Sequence, residues 1–204
     1  MLAQLLGPGD ALREALSNLS AYDLLVFEHG FRPAAPTMHG AFTAMFLHAG
    51  FAHLAGNMLF LWVFGRNIED RLGSRNFLIL YILCGFSAAV IHVAANPYSR
   101  VPTVGASGAI AGVMGAYLIK FWKTDIDTLF WLIFLWRMSV PAPYFLIYWF
   151  IVQFFSGLGS LSEVDYTGGG IAWFAHVGGF LAGMGLIKLF KDIRPAYRAW
   201  YESD

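Results

Sequence analysis

The chain has 204 residues, of which 58% are hydrophobic, 17% aromatic and only 13% charged, against about 25% charged in an ordinary globular domain. A soluble fold of this size cannot hide so much apolar surface, and a chain so rich in aromatics and so poor in charge is not disordered. The 13 Lys+Arg offset the 13 Asp+Glu with no basic stripe, which excludes a nucleic-acid partner and leaves an all-α, polytopic helical membrane protein in a lipid bilayer.

Residues 1–45 hold charges and no apolar run long enough to span. Within them Ala11–Leu25 reads as an amphipathic helix lying on the membrane, with Asp10 as its N-cap. Five apolar runs follow, near Phe51–Ile68, Asn76–Ala94, Gly105–Trp122, Tyr144–Leu158 and Gly170–Phe190. Each is bounded by charges, Pro or Asn, and each is read as a span; the third and fourth are short for a bilayer core that takes about 20 helical residues. Between them Thr128–Val140 is apolar over about 13 residues, a length that suits an interfacial or re-entrant segment better than a span. Its Trp131, Trp136 and Arg137 suit the headgroup level. The expected organisation is an outer segment over 1–45, a membrane core over 46–190 and a cytoplasmic tail over 191–204.

Placing the C-terminal ends of the first, third and fifth spans on one side gathers Arg66, Arg71, Arg75, Lys120, Lys123, Arg137, Lys188, Lys191, Arg194 and Arg198 there. The opposite side keeps Arg13, Arg32 and Arg100. The richer side is cytoplasmic by the positive-inside rule.

Polar groups in hydrocarbon are costly and mark function by default. His53, Asn57, Ser107 and His176 stand inside the spans. Counted from Arg66, Lys120 and Lys188 at about 1.5 Å per residue, they reach a similar depth, roughly 14–20 Å above the basic anchors. A serine hydroxyl needs a base to become a nucleophile, and a histidine supplies one. His53 and Asn57, four apart, share a helix face. With the backbone N–H of Ser107 they form a candidate oxyanion hole. The second to fifth spans hold no Asp or Glu, so the reading is a Ser–His dyad without an acidic third member. Gly105 and Gly108 flank Ser107, Gly112 and Gly115 follow it, and Gly178, Gly179 and Gly183 follow His176. Small residues at such spacings let helix backbones approach closely, so the third and fifth spans are expected to pack and bring Ser107 to His176.

Other polar residues take plainer readings. His48 is read as structural at the membrane boundary, and His92, beside a loop, as solvated. Ser87, Ser139 and Ser156 are read as packing or interface residues. Cys84 is read as an apolar filler; a single cysteine can form no internal disulfide, and this one lacks the spaced partners of a zinc site. No metal and no cofactor is expected.

The segments TAMFLHAGFAHLAGNMLFLWVFGRNIEDRLGS, VGASGAIAGVMGAY and AHVGGFLAGM resemble the rhomboid intramembrane serine proteases from about Phe42 to Leu189. The resemblance implies Ser107 as nucleophile, His176 as base, and His53 and Asn57 as oxyanion donors. It places Glu69, between Gly65 and Gly73, in the family's structural motif. It implies hydrolysis of a peptide bond in or near the transmembrane helix of a membrane-protein substrate, through an active site open to the outer face. Phe145, Trp149, Phe150, Phe154 and Phe155 would line a lateral gate. A bacterial plasma membrane is the expected location. The family's first span is absent here, so the chain is expected to be truncated or to start upstream. His39-Gly40 replaces a Trp-Arg pair of many relatives and is expected to loosen the outer segment. Ala111 replaces a Tyr that stacks on the catalytic His in some relatives. The rival readings are a catalytically inactive rhomboid-like protein that binds or escorts transmembrane helices, and a small transporter or channel. The lack of acids in the later spans counts against the last.

Overall fold

The structure is a computed structural model and describes residues 19–131, 135–160 and 172–193. Its first described helix is α1 (Ala21–His29). Ser20 caps it: its Oγ accepts from Asp23 N, and the Asp23 carboxylate accepts from Ser20 N, a reciprocal box that satisfies two orphan donors. The segment read as a helix from Ala11 thus has its described helix begin at Ala21 and run on to His29, while Asp10 lies outside the described residues. After α1 comes the short α2 (Met38–Thr43), capped by Thr37. The outer segment is fastened by groups other than a Trp-Arg pair. His29 Nδ1 lies 3.0 Å from His39 Nε2, Tyr22 donates to the carbonyl of His48, and Phe31 and Thr103 exchange both backbone hydrogen bonds.

Helix α3 (Phe51–Leu72) follows, and it meets the stretch Met38–Phe46 at a 91° bend. It widens into a π turn at Leu61–Gly65, the kind of bulge that often marks a functional helix. Phe64 in that turn is buried and meets Tyr117 edge-on with ring centroids 5.1 Å apart. Gly73, at φ +76°, stops the helix and donates its N–H to Glu69 O at 2.7 Å; a left-handed φ favours glycine there. Helix α4 (Ser74–Ala95) starts at once. It is followed by α5 (Ser107–Lys120), a hairpin of β1 (Asp125–Trp131) and β2 (Leu135–Pro141), then α6 (Ala142–Ser160) and α7 (Trp173–Leu186).

Among the described residues, α4 and α6 are long and apolar enough to cross a membrane unaided. Helices α5 and α7, with 14 residues each, are apolar but shorter. Leu78, Leu83 and Val90 on α4, and Tyr148, Ile151 and Phe155 on α6, are exposed, as lipid-facing residues must be. The molecule is a helical membrane bundle.

The stretch Thr128–Val140 is no spanning helix, as expected from its length, and its secondary structure is extended. It forms the antiparallel hairpin, in register from Asp125↔Pro141 to Trp131↔Leu135. A run too short to span closes its backbone hydrogen bonds by pairing with itself, and its β-branched and aromatic residues favour extended chain.

Helix α5 is the axis of the bundle. Every residue from Ala109 to Leu118 is buried, between α3, α4 and α7. Glycines bring α5 and α7 into backbone contact. A Cβ on Gly179 would lie 1.9 Å from Gly108 O, and one on Gly183 would lie 1.8 Å from Gly112 O. Cys84 of α4, fully buried, fills the space beside Gly112.

At the end bearing the basic residues, Asp192 joins two elements. It accepts from Arg71 Nη1 at 3.2 Å and from Lys120 Nζ at 2.7 Å. Partial burial pushes its carboxyl up, but the bonds from Lys120 and Arg71 outweigh this and hold it below the ordinary 3.8.

Candidate active site

Ser107 is the first residue of α5, so its N–H has no intrahelical acceptor. The turn that delivers it depends on Gly105, at φ +128°, whose N–H donates to Ala44 O at 2.8 Å. His176 lies one turn into α7. The close approach of α5 and α7 puts Ser107 Oγ 2.7 Å from His176 Nε2, a short and direct hydrogen bond.

The other face of the imidazole is engaged by a residue absent from the sequence reading. His176 Nδ1 lies 2.7 Å from Gln153 Oε1. Gln153 is buried on α6, in the inward stripe Leu146, Trp149, Phe150, Gln153 and Gly157. The amide oxygen accepts from Nδ1–H, which leaves Nε2 bare and facing the serine hydroxyl. A signal existed: Gln153 is a lone amide in the run FIVQFF, and an unpaired polar group in hydrocarbon is costly. An acid is the usual third member, but a neutral amide oxygen can accept from the ring in its place.

With Ala111 small and buried, the ring of His176 is packed by tryptophans instead. Trp149 lies tilted against it at 5.9 Å between centroids, and Trp173 meets it edge-on at 6.4 Å.

His53 and Asn57 lie on α3 as expected for one face. His53 Nδ1 accepts from Ala49 N at 3.3 Å, which puts the ring proton on Nε2. A Cβ built on Gly105 would lie 2.9 Å from that Nε2 and 3.6 Å from Ser107 Oγ. The space left by the missing side chain is therefore bordered by the serine and by an imidazole donor. Asn57 is buried, and its Nδ2 has no hydrogen-bond partner among the described residues. A buried amide donor without a partner asks for an explanation.

The remaining sequence readings separate. Gly108, Gly179 and Gly183 lie in the α5–α7 contact, and a Cβ on Gly108 would also meet Ala88 at 2.7 Å. Gly178 lies against Ile91. Gly65 sits in the π turn under Leu61 and Phe77, while Glu69 and Gly73 close α3. Phe145, Trp149 and Phe150 pack inward, whereas Phe154 and Phe155 are 38% and 64% exposed. The five aromatics therefore face two sides of α6. His48 meets His53 edge-on at 5.3 Å. His92, read as solvated, is buried and pairs through Nε2 with Thr103 Oγ1 at 3.2 Å. The chain after α4 folds back through the Phe31–Thr103 bridge and covers it. It lines a cavity of about 50 Å³ behind Ser107, with Met45, Gly85, Ala88 and Gly105. No cluster of three metal-ligating side chains occurs among the described residues.

The same stretch of chain matches known proteins. The family model for the Rhomboid domain matches residues 35–192. Over 194 residues the chain is 31% identical to RHOMBOID-like protein 1 of Arabidopsis thaliana, covering 95% of this chain and 42% of that protein. It is 32% identical over 151 residues to RHOMBOID-like protein 6, mitochondrial, of the same plant, covering 73% of the chain and 43% of the relative. A shorter match, 43% identical over 76 residues, is to Rhomboid protease GluP of Bacillus subtilis and covers 37% of the chain and 14% of that protein. The chain spans less than half the length of each of these three relatives. With the family model matching most of its length, on a helical membrane bundle, the chain belongs to the rhomboid family of integral membrane proteins.

Proposed function

We propose that the protein is an intramembrane serine endopeptidase that cuts a peptide bond in or near the transmembrane helix of a membrane-protein substrate. The observation that carries this is the 2.7 Å contact between Ser107 Oγ and His176 Nε2, with Gln153 Oε1 2.7 Å from the ring's Nδ1. In this reading Nε2 takes the hydroxyl proton as Oγ attacks the substrate carbonyl carbon. The oxygen of the tetrahedral adduct then receives hydrogen bonds from Asn57 Nδ2, His53 Nε2 and the Ser107 N–H. The imidazolium returns its proton to the leaving amine, and a water repeats the sequence to free the acyl group. The relative named Rhomboid protease GluP supports the same activity.

The rival reading, an inert holder of transmembrane helices, has no use for a direct serine–histidine contact with a buried amide donor, unpartnered among the described residues, one turn after His53. That contact therefore favours the enzyme. We assign the working unit to 46–190, under an outer segment 1–45, and place it in a bacterial plasma membrane with its site open to the outer face, away from Lys120 and Lys188. A fluorophosphonate probe tests the activity on the detergent-solubilised chain. Labelling of the wild type that is lost in Ser107→Ala and in His176→Ala is expected. An unlabelled wild type, or labelling that persists in Ser107→Ala, overturns the reading.

A further inference from the structure

A serine can pass its proton to His176 Nε2 only while that nitrogen is bare. The imidazole must then carry its proton on Nδ1, and nothing in a serine–histidine pair alone selects that tautomer. The acceptor at Nδ1 does so. Here that acceptor is neither an acid nor water but the amide oxygen of Gln153, 2.7 Å away. Gln153 is 7% exposed, so no bulk water competes for the bond. One turn earlier on the same helix, Trp149 lies against the ring. One turn later, a Cβ on Gly157 would lie 3.2 Å from the Phe174 ring, so α6 sits tightly on α7 at this level. Over its length α6 packs on α7 less extensively than α5 does.

We propose that Gln153 is the positioning residue of the catalytic base: from helix α6 it accepts the Nδ1–H of His176 and so fixes the tautomer and ring orientation in which Nε2 receives the proton of Ser107. This rests on the reading of Ser107 and His176 as nucleophile and base. Gln153 itself touches no reacting atom. It differs from the acid of a soluble triad in carrying no charge, so it orients the neutral ring without a strong pull on the imidazolium. Because α6 carries both Gln153 and Trp149, the base is competent only while α6 is seated on α7.

Two variants and two readouts test this on the full chain in detergent. Gln153→Met keeps the volume and removes the acceptor; Gln153→Glu keeps an acceptor. The first readout is the pH profile of the fluorophosphonate labelling rate. The second is nitrogen NMR of isotopically labelled histidine side chains, which reports the tautomer of His176 independently of activity. Gln153→Met is expected to label about 10–100-fold more slowly, the effect of losing one buried hydrogen bond, and to lose the Nδ1–H signal. Gln153→Glu is expected to label faster than Gln153→Met and to move the acid limb of the profile to higher pH, since a carboxylate favours the imidazolium. Wild-type labelling and an unchanged tautomer in Gln153→Met overturn the proposal. So does equal slowing of both variants when both melt at the wild-type temperature. If the wild type itself is not labelled, the protease reading fails; a His176 tautomer that does not change in Gln153→Met then overturns the positioning role as well, and one that does upholds the Gln153 bond.

Discussion

Replacing Gly179 by alanine tests whether the backbone contact between α5 and α7 sets the distance between the serine and the histidine. A Cβ at 179 would lie 1.9 Å from the carbonyl oxygen of Gly108, whereas real Cβ contacts below 3.0 Å are essentially never seen. The neighbour is backbone and cannot rotate away, so the two helices must part by at least about 1.1 Å. Gly108 adjoins Ser107, and Gly179 lies one turn after His176, so most of that displacement reaches the pair. Added to the present 2.7 Å, it takes Oγ and Nε2 beyond the roughly 3.2 Å limit of a useful hydrogen bond. A misplacement of this order costs about 100-fold in rate, and overpacking adds about 1–3 kcal/mol of destabilisation. The assay is the second-order labelling rate with a fluorophosphonate, paired with thermal melting in the same detergent. Gly185→Ala is the control, since it lies on the same helix with nothing within 4 Å of its Cβ position; it should label normally and be slightly more stable. A folded Gly179→Ala protein that labels within about twofold of wild type, far from the expected loss, would refute the reasoning.

Asn57→Leu should lower the cleavage rate about 100–1,000-fold, the usual cost of one oxyanion donor, while leaving the melting temperature unchanged or raised, because the amide it removes is buried and unpaired; a marked loss of stability with normal cleavage would show that Asn57 is structural. Gly105→Ala must hold alanine at φ +128° and push a Cβ to 2.7 Å from His53 Cε1, so labelling should fall at least about tenfold, and unchanged labelling would count against His53 at the site. The carboxyl of Asp192 is held below 3.8 in the folded state, so its ion pairs add stability at neutral pH that is lost as the pH falls through that lowered value. Asp192→Asn should therefore melt lower than wild type near neutral pH, and the gap should close in acid below 3.8; a gap that persists there contradicts the pairing.

Most helices could be read from the apolar runs because lipid demands long unbroken stretches, and the ends of α4 and α6 fall within two residues of the expected bounds. What escaped was set by contacts distant in the chain. The hairpin Asp125–Pro141 has no clean alternation, so its apolar run reads equally as a helix. His92 sits near a span end, where solvent is the default, yet a bridge from Phe31 covers it. Gln153 is uncharged and flanked by aromatics, and only the packing of α6 on α7 brings it to His176. Ser20-Ala21-Tyr22-Asp23 carried a legible capping box that the nearby Asp10 obscured. At the site, the glycine spacings pointed to one close helix pair, because only glycine permits carbonyl oxygens at such range.

The length of α5 has a consequence for how the protein meets its bilayer. Fourteen residues make a rod of about 21 Å, against a hydrocarbon layer of about 30 Å. A lipid-facing helix that short would suffer hydrophobic mismatch and would have to thin the membrane around it. Helix α5 escapes this because its neighbours, not acyl chains, cover Ala109–Leu118. Changes in bilayer thickness meet the exposed faces of α4 and α6 before they meet α5. Burial among its neighbours thus lets a helix shorter than the bilayer core sit in the bundle without facing lipid.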